Sequence, residues 1–137
     1  MAIRKGVKDL VAEADARIRT IDTEDAIELA RRDNIVIVDL RDIRERIREG
    51  FIPGSFHAPR GMLEFWVDPE SPYYKDIFGR DATFVFYCAS GWRSALATAA
   101  VKDMGMERVA HIRGGFNAWK KAGGTIAKSK DGRDPNS

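Results

Sequence analysis

Two short runs of β-branched and aromatic residues constrain most strongly how this chain can fold. The run 35–38 (IVIV) is closed by Asp39, and the run 83–87 (TFVFY) leads into Cys88. Both are continuous apolar runs of strand length, which is typical of strands buried on both faces of a parallel sheet. The rest of the chain must therefore supply helices that cover both faces of that sheet.

The segments between and around these runs predict those helices. Five helices are predicted from helical spacing, capping residues and glycine stops. Four of them span residues 7–18, 42–48, 94–104 and 116–122, and the fifth begins after an N-cap at Asp22. A helical turn is expected over 62–67, and a third strand over 108–112. Strands that alternate with helices predict an α/β fold with a mostly parallel central sheet flanked by helices on both faces.

The length of the chain fits one domain with added ends. With 137 residues, 44% of them apolar, it can bury a single core. We expect an N-terminal helical extension over 1–19, a central domain over 20–127 and a polar tail over 128–137. The tail is rich in charged residues, glycine and proline, so we expect it to fray.

Composition excludes several classes of protein. The 23 basic and 21 acidic residues are interspersed and give a net charge of only +2, which argues against a nucleic-acid partner. The apolar runs are too short to cross a bilayer, and the first 19 residues carry charges throughout, which argues against a membrane partner and a secretory signal. One cysteine allows no internal disulfide. We expect a soluble protein in the reducing cytoplasm.

The loop that begins at Cys88 is the strongest candidate for chemistry. Small residues, Ala89, Ser90 and Gly91, separate the end of a buried strand from the start of a helix, so backbone N–H groups can converge there. Such donors at a helix N-terminus form an anion cradle, and the same field lowers the pKa of a thiol from about 8.5 to between about 3.5 and 7.5. Cys88 is therefore a candidate nucleophile, although an inert buried cysteine is the alternative.

Three charged residues join this candidate site. Asp39 ends the first strand, and ligand sites of parallel sheets lie at the carboxyl ends of their strands, so Asp39 should lie near Cys88 if the two strands are neighbours. Taken alone, Asp39 and Arg41 could serve simply as a helix cap and a surface charge. Arg93 either binds an anion beside Cys88 or pairs with an acidic neighbour.

Three segments together resemble the rhodanese-like sulfurtransferases, over about residues 20–126. The chain reads VDLR at 38–41 followed by EGFIPGS at 49–55, then CASGWRS at 88–94, then GGFNAWKKAG at 114–123. Each segment alone is weak, but their order and separation are specific. The resemblance implies a single rhodanese-type domain, here with an added N-terminal helix, and no cofactor or metal.

The resemblance also implies an activity. The Cys88 thiolate would attack the outer sulfur of a small anionic donor such as thiosulfate, sulfite would leave, and the resulting persulfide would pass its terminal sulfur to a thiol or protein acceptor. The loop residues would bind the donor, and Asp39 and Arg41 would support the site. The substrate-binding residues expected on this basis are Ala89, Ser90, Gly91, Trp92, Arg93 and Ser94.

Two other functions remain open. Related phosphatases and arsenate reductases have five residues between cysteine and arginine, whereas four separate Cys88 from Arg93 here, and Tyr87 stands where those phosphatases place histidine. A module that only holds a persulfide for a protein partner is the second alternative. Phe51 replaces the family's usual histidine, and we expect it to be buried packing.

Three further features have mainly structural interpretations. His57 and His111 are expected to be satisfied structural histidines, because with one cysteine they make no convincing metal set. The aromatic segment 62–74 is either core or an apolar wall beside Cys88. Trp92 either forms the rim of the site or packs on the following helix.

Overall fold

A five-stranded parallel sheet forms the centre of the computed structural model, which describes residues 1–135. Its strands stand in the order β1-β5-β4-β2-β3, and every neighbouring pair is parallel. The strands are β1 (Arg19–Ile21), β2 (Ile35–Asp39), β3 (Phe56–His57), β4 (Thr83–Tyr87) and β5 (Val109–Ile112). The three predicted strands are confirmed, and the two short edge strands β1 and β3 were not predicted.

Within residues 1–135, six helices connect and cover these strands. They are α1 (Val7–Asp15), α2 (Thr23–Leu29), α3 (Ile43–Glu49), α4 (Leu63–Val67), α5 (Trp92–Asp103) and α6 (Gly115–Lys121). Single turns of 3-10 helix occur at Arg60–Met62 and Asp76–Gly79. All the predicted helices are present, although α1 ends at Asp15, before the predicted end at Ile18.

Alternate residues of the central strands point into two cores, one on each face. On one face Val38 packs with residues of α4 and α5, while on the other Ile37 packs with α2 and α6. Phe116 and Trp119 of α6 are buried in this second core, as the helical spacing predicts. Helices thus cover both faces, and the predicted α/β architecture is confirmed.

The N-terminal helix α1 packs on α5. Val11 and Ala14 of α1 meet Ala95 and Ala99 of α5 in a small third core. These small α5 residues allow the two helices to approach closely. The consequence for the site is that α1 brings its last residue, Asp15, beside the N-terminal end of α5.

The segment after residue 127, which we expect to fray, lies against the domain over residues 128–135. The buried Arg46 donates from Nε to the carbonyl oxygen of Gly132 at 2.7 Å. Asp134 is buried and accepts a hydrogen bond from the Gly54 N–H group. The segment accepts hydrogen bonds from the buried Arg46 side chain and from the Gly54 N–H group, whereas its composition alone suggests only solvation. Residues 136–137 of the predicted tail lie outside the described residues.

The aromatic segment 62–74 divides between core and surface. Leu63 and Val67 are buried, and Trp66 and Tyr74 pack against them in the first core. Two of its aromatic residues, Phe65 and Tyr73, are exposed, and their rings meet edge to face at 6.4 Å. The segment therefore contributes some of its apolar side chains to the core and leaves others at the surface.

Across residues 1–135, every helix is too short or too polar to reach from one side of a membrane to the other.

Candidate active site

Cys88 lies at the carboxyl end of β4, directly beside the end of β2. In the parallel register Asp39 is opposite Tyr87, the residue before Cys88, which confirms the predicted proximity of these two strand ends. Cys88 is 1% exposed. Its side chain therefore lies buried against the short loop that follows it.

The loop 88–94 surrounds the sulfur with hydrogen-bond donors. Cys88 Sγ accepts from the N–H groups of Gly91 at 3.2 Å and Ser94 at 3.4 Å. Gly91 stands at φ +110°, a left-handed conformation that turns the chain into α5. Among residues 1–135, the N–H groups of Ala89, Ser90, Trp92 and Arg93 have no acceptor. The loop therefore has donors left over for an anion at or beyond the sulfur.

The first turn of α6 supports this loop from behind. The N–H groups of Phe116 and Asn117 donate to the carbonyl oxygens of Cys88, at 2.8 Å, and Ala89, at 3.0 Å. Gly115 makes this approach possible, because a Cβ atom there would collide with the Cys88 carbonyl oxygen and lie 2.8 Å from the Ala89 carbonyl carbon. Gly115 therefore allows the first turn of α6 to hold the loop in place.

We expect Gly115→Ala to damage the site far more than Gly123→Ala. Both glycines have positive φ, at +58° and +81°, so both variants carry the strain of a left-handed alanine, about 1 kcal/mol or more. Only at Gly115 does the added methyl meet another segment, whereas nothing lies within 4 Å at Gly123. Urea unfolding should show Gly115→Ala to be less stable than Gly123→Ala by a further ~2 kcal/mol. Equal losses would contradict the loop contact.

Arg93 is held by an acidic partner at the edge of the loop. Its two terminal nitrogens donate to the two carboxylate oxygens of Glu45 at 2.8 and 3.0 Å. Glu45 also accepts from the Asp42 N–H group, as the third residue of the α3 capping box. Hydrogen bonding to Arg93 lowers the pKa of Glu45, and hydrogen bonding to Glu45 raises the pKa of Arg93. The structure thus places Arg93 in the ion pair, the alternative that the sequence left open.

Asp39 and Arg41 lie in a buried network below the loop rather than on the surface. Asp39 accepts from Arg41 Nε at 3.0 Å, from Arg46 at 2.9 Å and from the Tyr87 hydroxyl at 2.9 Å. Burial alone raises the pKa of Asp39, but hydrogen bonds and charge from the two arginines outweigh it and hold that pKa below its ordinary value. Because Tyr87 precedes Cys88, this network fixes the strand end that carries the thiol.

Aromatic rings complete the surroundings of the two buried guanidinium groups. Arg41 lies over the ring of Phe116 at 4.3 Å, and Arg46 lies over the ring of Phe51 at 4.1 Å. Phe51 is buried, as predicted. The phenylalanine that replaces the family's usual histidine therefore serves as a face for a buried cation.

A chain of polar side chains leads from Cys88 to α1, and sequence reasoning missed it. The Cys88 thiol lies 3.5 Å from Ser94 Oγ, and Ser94 Oγ lies 2.9 Å from His111 Nδ1. His111 Nε2 lies 3.1 Å from Asp15 Oδ1 and 3.2 Å from Thr20 Oγ1. His111 is a satisfied buried histidine, as predicted, but it also connects to the thiol. The other histidine, His57, is half-buried and bonds to the backbone.

A small recess of about 160 Å³ lies next to the loop and is lined by the outer end of this polar chain, formed by Asp15, Thr20 and His111. Trp92 lines it with a half-exposed side chain, which favours the rim interpretation of that residue. The other lining residues are Val11, Ser90, Gly91, Arg113 and Gly114. Within residues 1–135, no group of three or more His, Cys, Asp or Glu side chains is arranged to hold a metal ion.

Comparison with known proteins places this site in a family. A family model described as the rhodanese-like domain matches residues 22–122. A sulfurtransferase of Allochromatium vinosum is 32% identical over 107 residues, which span 77% of this chain and 92% of the relative. A dual specificity phosphatase Cdc25 of Arabidopsis thaliana is 30% identical over 120 residues, which span 81% of this chain and 79% of that relative.

A solved structure extends the likeness to almost the whole chain. A protein of unknown function from Rhodopseudomonas palustris, described as a possible tyrosine phosphatase, is 55% identical with a TM-score of 0.91. The match covers 93% of this chain and 98% of that one. The resemblance inferred from the three sequence segments is thereby confirmed, and the chain belongs to the rhodanese-like domain family.

Proposed function

We propose that this protein transfers sulfane sulfur from a small anionic donor such as thiosulfate to a nucleophilic acceptor through a persulfide at Cys88. The observation that carries the proposal is the position of Cys88 Sγ, which accepts two backbone hydrogen bonds at the base of its loop. Four more N–H groups of this loop have no acceptor within residues 1–135. The named sulfurtransferase among the relatives agrees with this reaction.

The first half-reaction loads the enzyme. The Cys88 thiolate attacks the outer sulfur of thiosulfate and forms a new S–S bond. The original S–S bond of the donor breaks, and sulfite leaves with the electron pair. The persulfide left on Cys88 carries one additional sulfur atom and a negative charge at that atom.

The loop then stabilises that terminal sulfur. The spare N–H groups of Ala89, Ser90, Trp92 and Arg93 belong to the turn before α5 and to its first residues, where the helix dipole is positive. Donors that are already fixed in place stabilise a new anion without reorganising, which is the most effective form of electrostatic assistance. The side chain of Arg93 is paired with Glu45 at the edge of the loop, so Arg93 contributes to this field through its backbone N–H group.

The second half-reaction returns the enzyme to its starting state. A nucleophile, such as cyanide or the thiolate of a small molecule or protein, attacks the terminal sulfur. The S–S bond to Cys88 breaks, and the Cys88 thiolate is restored. Because the thiol must be reduced to begin the cycle, we place the protein in a reducing compartment such as the cytoplasm.

A phosphatase is the second candidate, because two of the similar proteins carry that description. Two features of this chain count against it. Only four residues separate Cys88 from Arg93, and both terminal nitrogens of Arg93 are engaged by Glu45. A bound phosphate would need that arginine fork and a wider ring of donors.

A direct comparison of the two activities tests the proposal. The wild-type protein should transfer sulfur from thiosulfate to cyanide, measured as thiocyanate, with the double-reciprocal pattern of parallel lines that a covalent intermediate gives. Hydrolysis of an aryl phosphate should stay at the background rate. Phosphate release that depends on Cys88, without thiocyanate formation, would replace our proposal with the phosphatase.

A further inference from the structure

We propose that Asp15, His111 and Ser94 form a proton relay that takes the proton of the Cys88 thiol, so that the N-terminal helix completes the active site. Nothing in the proposed reaction requires α1, and Asp15 lies outside residues 22–122 that match the family model. The inference rests on the proposed function only in taking Cys88 as the nucleophile.

The hydrogen bonds have one consistent direction. Asp15 is a carboxylate and accepts, so the proton of the neutral imidazole belongs on Nε2, and Nδ1 is left with a lone pair. Ser94 then donates its hydroxyl hydrogen to Nδ1 at 2.9 Å and can accept from the Cys88 thiol, 3.5 Å away. The competing acceptor for that hydroxyl, the Gly91 carbonyl, is farther away at 3.3 Å.

Transfer along this path balances without any added reagent. The Cys88 proton passes to Ser94 Oγ as the Ser94 hydroxyl proton passes to His111 Nδ1. The products are a thiolate at Cys88, an unchanged serine and an imidazolium whose Nε2–H donates to Asp15. Both charges have partners, because the Gly91 and Ser94 N–H groups face the sulfur.

The surroundings of His111 leave its imidazole neutral, with Nδ1 facing the Ser94 hydroxyl and the Asp15 carboxylate beside Nε2. Burial lowers the pKa of His111, the Asp15 charge and hydrogen bond oppose that effect, and Arg113 lowers the pKa further. Arg113 is itself paired with Asp22 at 2.8 Å. The imidazole is thus neutral before transfer. After transfer, Asp15 is the group that stabilises the positively charged imidazolium. Loss of the Asp15 charge should therefore weaken the relay.

The contact between α1 and the site is built into the packing. Val11 and Ala14, close to Asp15 in the same helix, are buried against α5, whose first turn contains Ser94. Thr20 and His111 face each other across the parallel pair β1 and β5, which fixes the imidazole from the other side. Asp15 remains about half exposed at the recess, where the proton can exchange with water.

The alkylation rate of Cys88 as a function of pH tests this relay, and the single cysteine makes that readout specific. At pH 7 iodoacetamide should react with Cys88 at least about tenfold more slowly in His111→Gln than in wild type. The rise of the alkylation rate with pH should move to higher pH in this variant. Asp15→Asn should move the profile in the same direction by a smaller amount. Asparagine keeps an acceptor oxygen for Nε2, so a purely structural role would leave the profile in place.

Glu13→Gln is the matched control, because it removes a carboxylate from the same helix where it faces Lys5 instead of His111. Its profile should overlay that of wild type. If His111→Gln does not fold, Asp15→Asn decides the question alone. Profiles of Asp15→Asn and wild type that coincide would overturn the relay.

The same experiment separates this inference from the proposed function. Shifted profiles in a protein that takes no sulfur from thiosulfate would support the relay and refute the sulfurtransferase. Unshifted profiles in a protein that does take sulfur would refute the relay alone.

Discussion

Replacement of Cys88 by serine should abolish transfer of sulfur from thiosulfate to cyanide, with a fall in turnover of roughly 10⁴-fold or more. A serine hydroxyl is a far weaker nucleophile toward sulfur than a thiolate, and it cannot form a persulfide. Thiocyanate formation under saturating thiosulfate measures the loss.

The same variant should keep its fold, which makes the result interpretable. A serine oxygen can still accept from the N–H groups of Gly91 and Ser94, and it adds no volume to the loop. Thermal unfolding should therefore be close to that of wild type. Residual transfer above about one per cent of the wild-type rate would mean that another group carries the sulfur.

Replacement of Asp39 by asparagine should cost about 3–5 kcal/mol of unfolding free energy at pH 7. Asp39, Arg41 and Arg46 are all essentially excluded from solvent, and the one carboxylate serves both guanidinium groups. Its neutralisation leaves two buried cations without a counter-charge, and the rings of Phe116 and Phe51 compensate only in part. Urea unfolding measures the difference. A loss below about 1 kcal/mol would show that the network is not a main source of stability.

An exposed ion pair provides the control for that result. Asp81 pairs with Arg108 at the surface, where the side chain of Asp81 is 96% exposed. Asp81→Asn should change stability by less than about 0.5 kcal/mol, because solvent already screens the pair.

Acid should remove the advantage of wild type over Asp39→Asn. The pKa of Asp39 is lower in the folded protein than its ordinary value of 3.8, so its contribution is fully present above that value. As pH falls through the folded-state pKa, the carboxylate is protonated and comes to resemble asparagine. The difference between the two proteins should thus be constant from pH 7 to about pH 5 and narrow below about pH 4.

The central strands could be predicted because their signal is local. The runs that became β2 and β4 are apolar on both faces, and because these two strands are neighbours, Asp39 stands opposite Tyr87. β1 and β3 have three and two residues and mixed polarity, so they carry no such signal. They are strands because a neighbouring strand offers hydrogen-bond partners, which is a tertiary effect.

The candidate site likewise has a part that could be predicted from local sequence and a part that depends on tertiary contacts. Cys88 and its loop could be predicted, because the strand, the small residues and the helix are consecutive in sequence. The partners of Arg93 and His111 could not, since Glu45 is 48 residues from Arg93 and Asp15 is 96 residues from His111. Arg46 belongs to a segment whose charge suggests a solvated helix. Its burial is explained only by its hydrogen bonds to Asp39 and to the carbonyl oxygen of Gly132, a residue distant in sequence.

The mass of the intact protein after incubation with thiosulfate tests the central claim most directly. Wild-type protein freed of excess donor should gain one sulfur atom, located on the peptide that contains Cys88, and cyanide should return the mass to its starting value. An unchanged mass in protein whose Cys88 is reduced and reacts with iodoacetamide would contradict the persulfide mechanism.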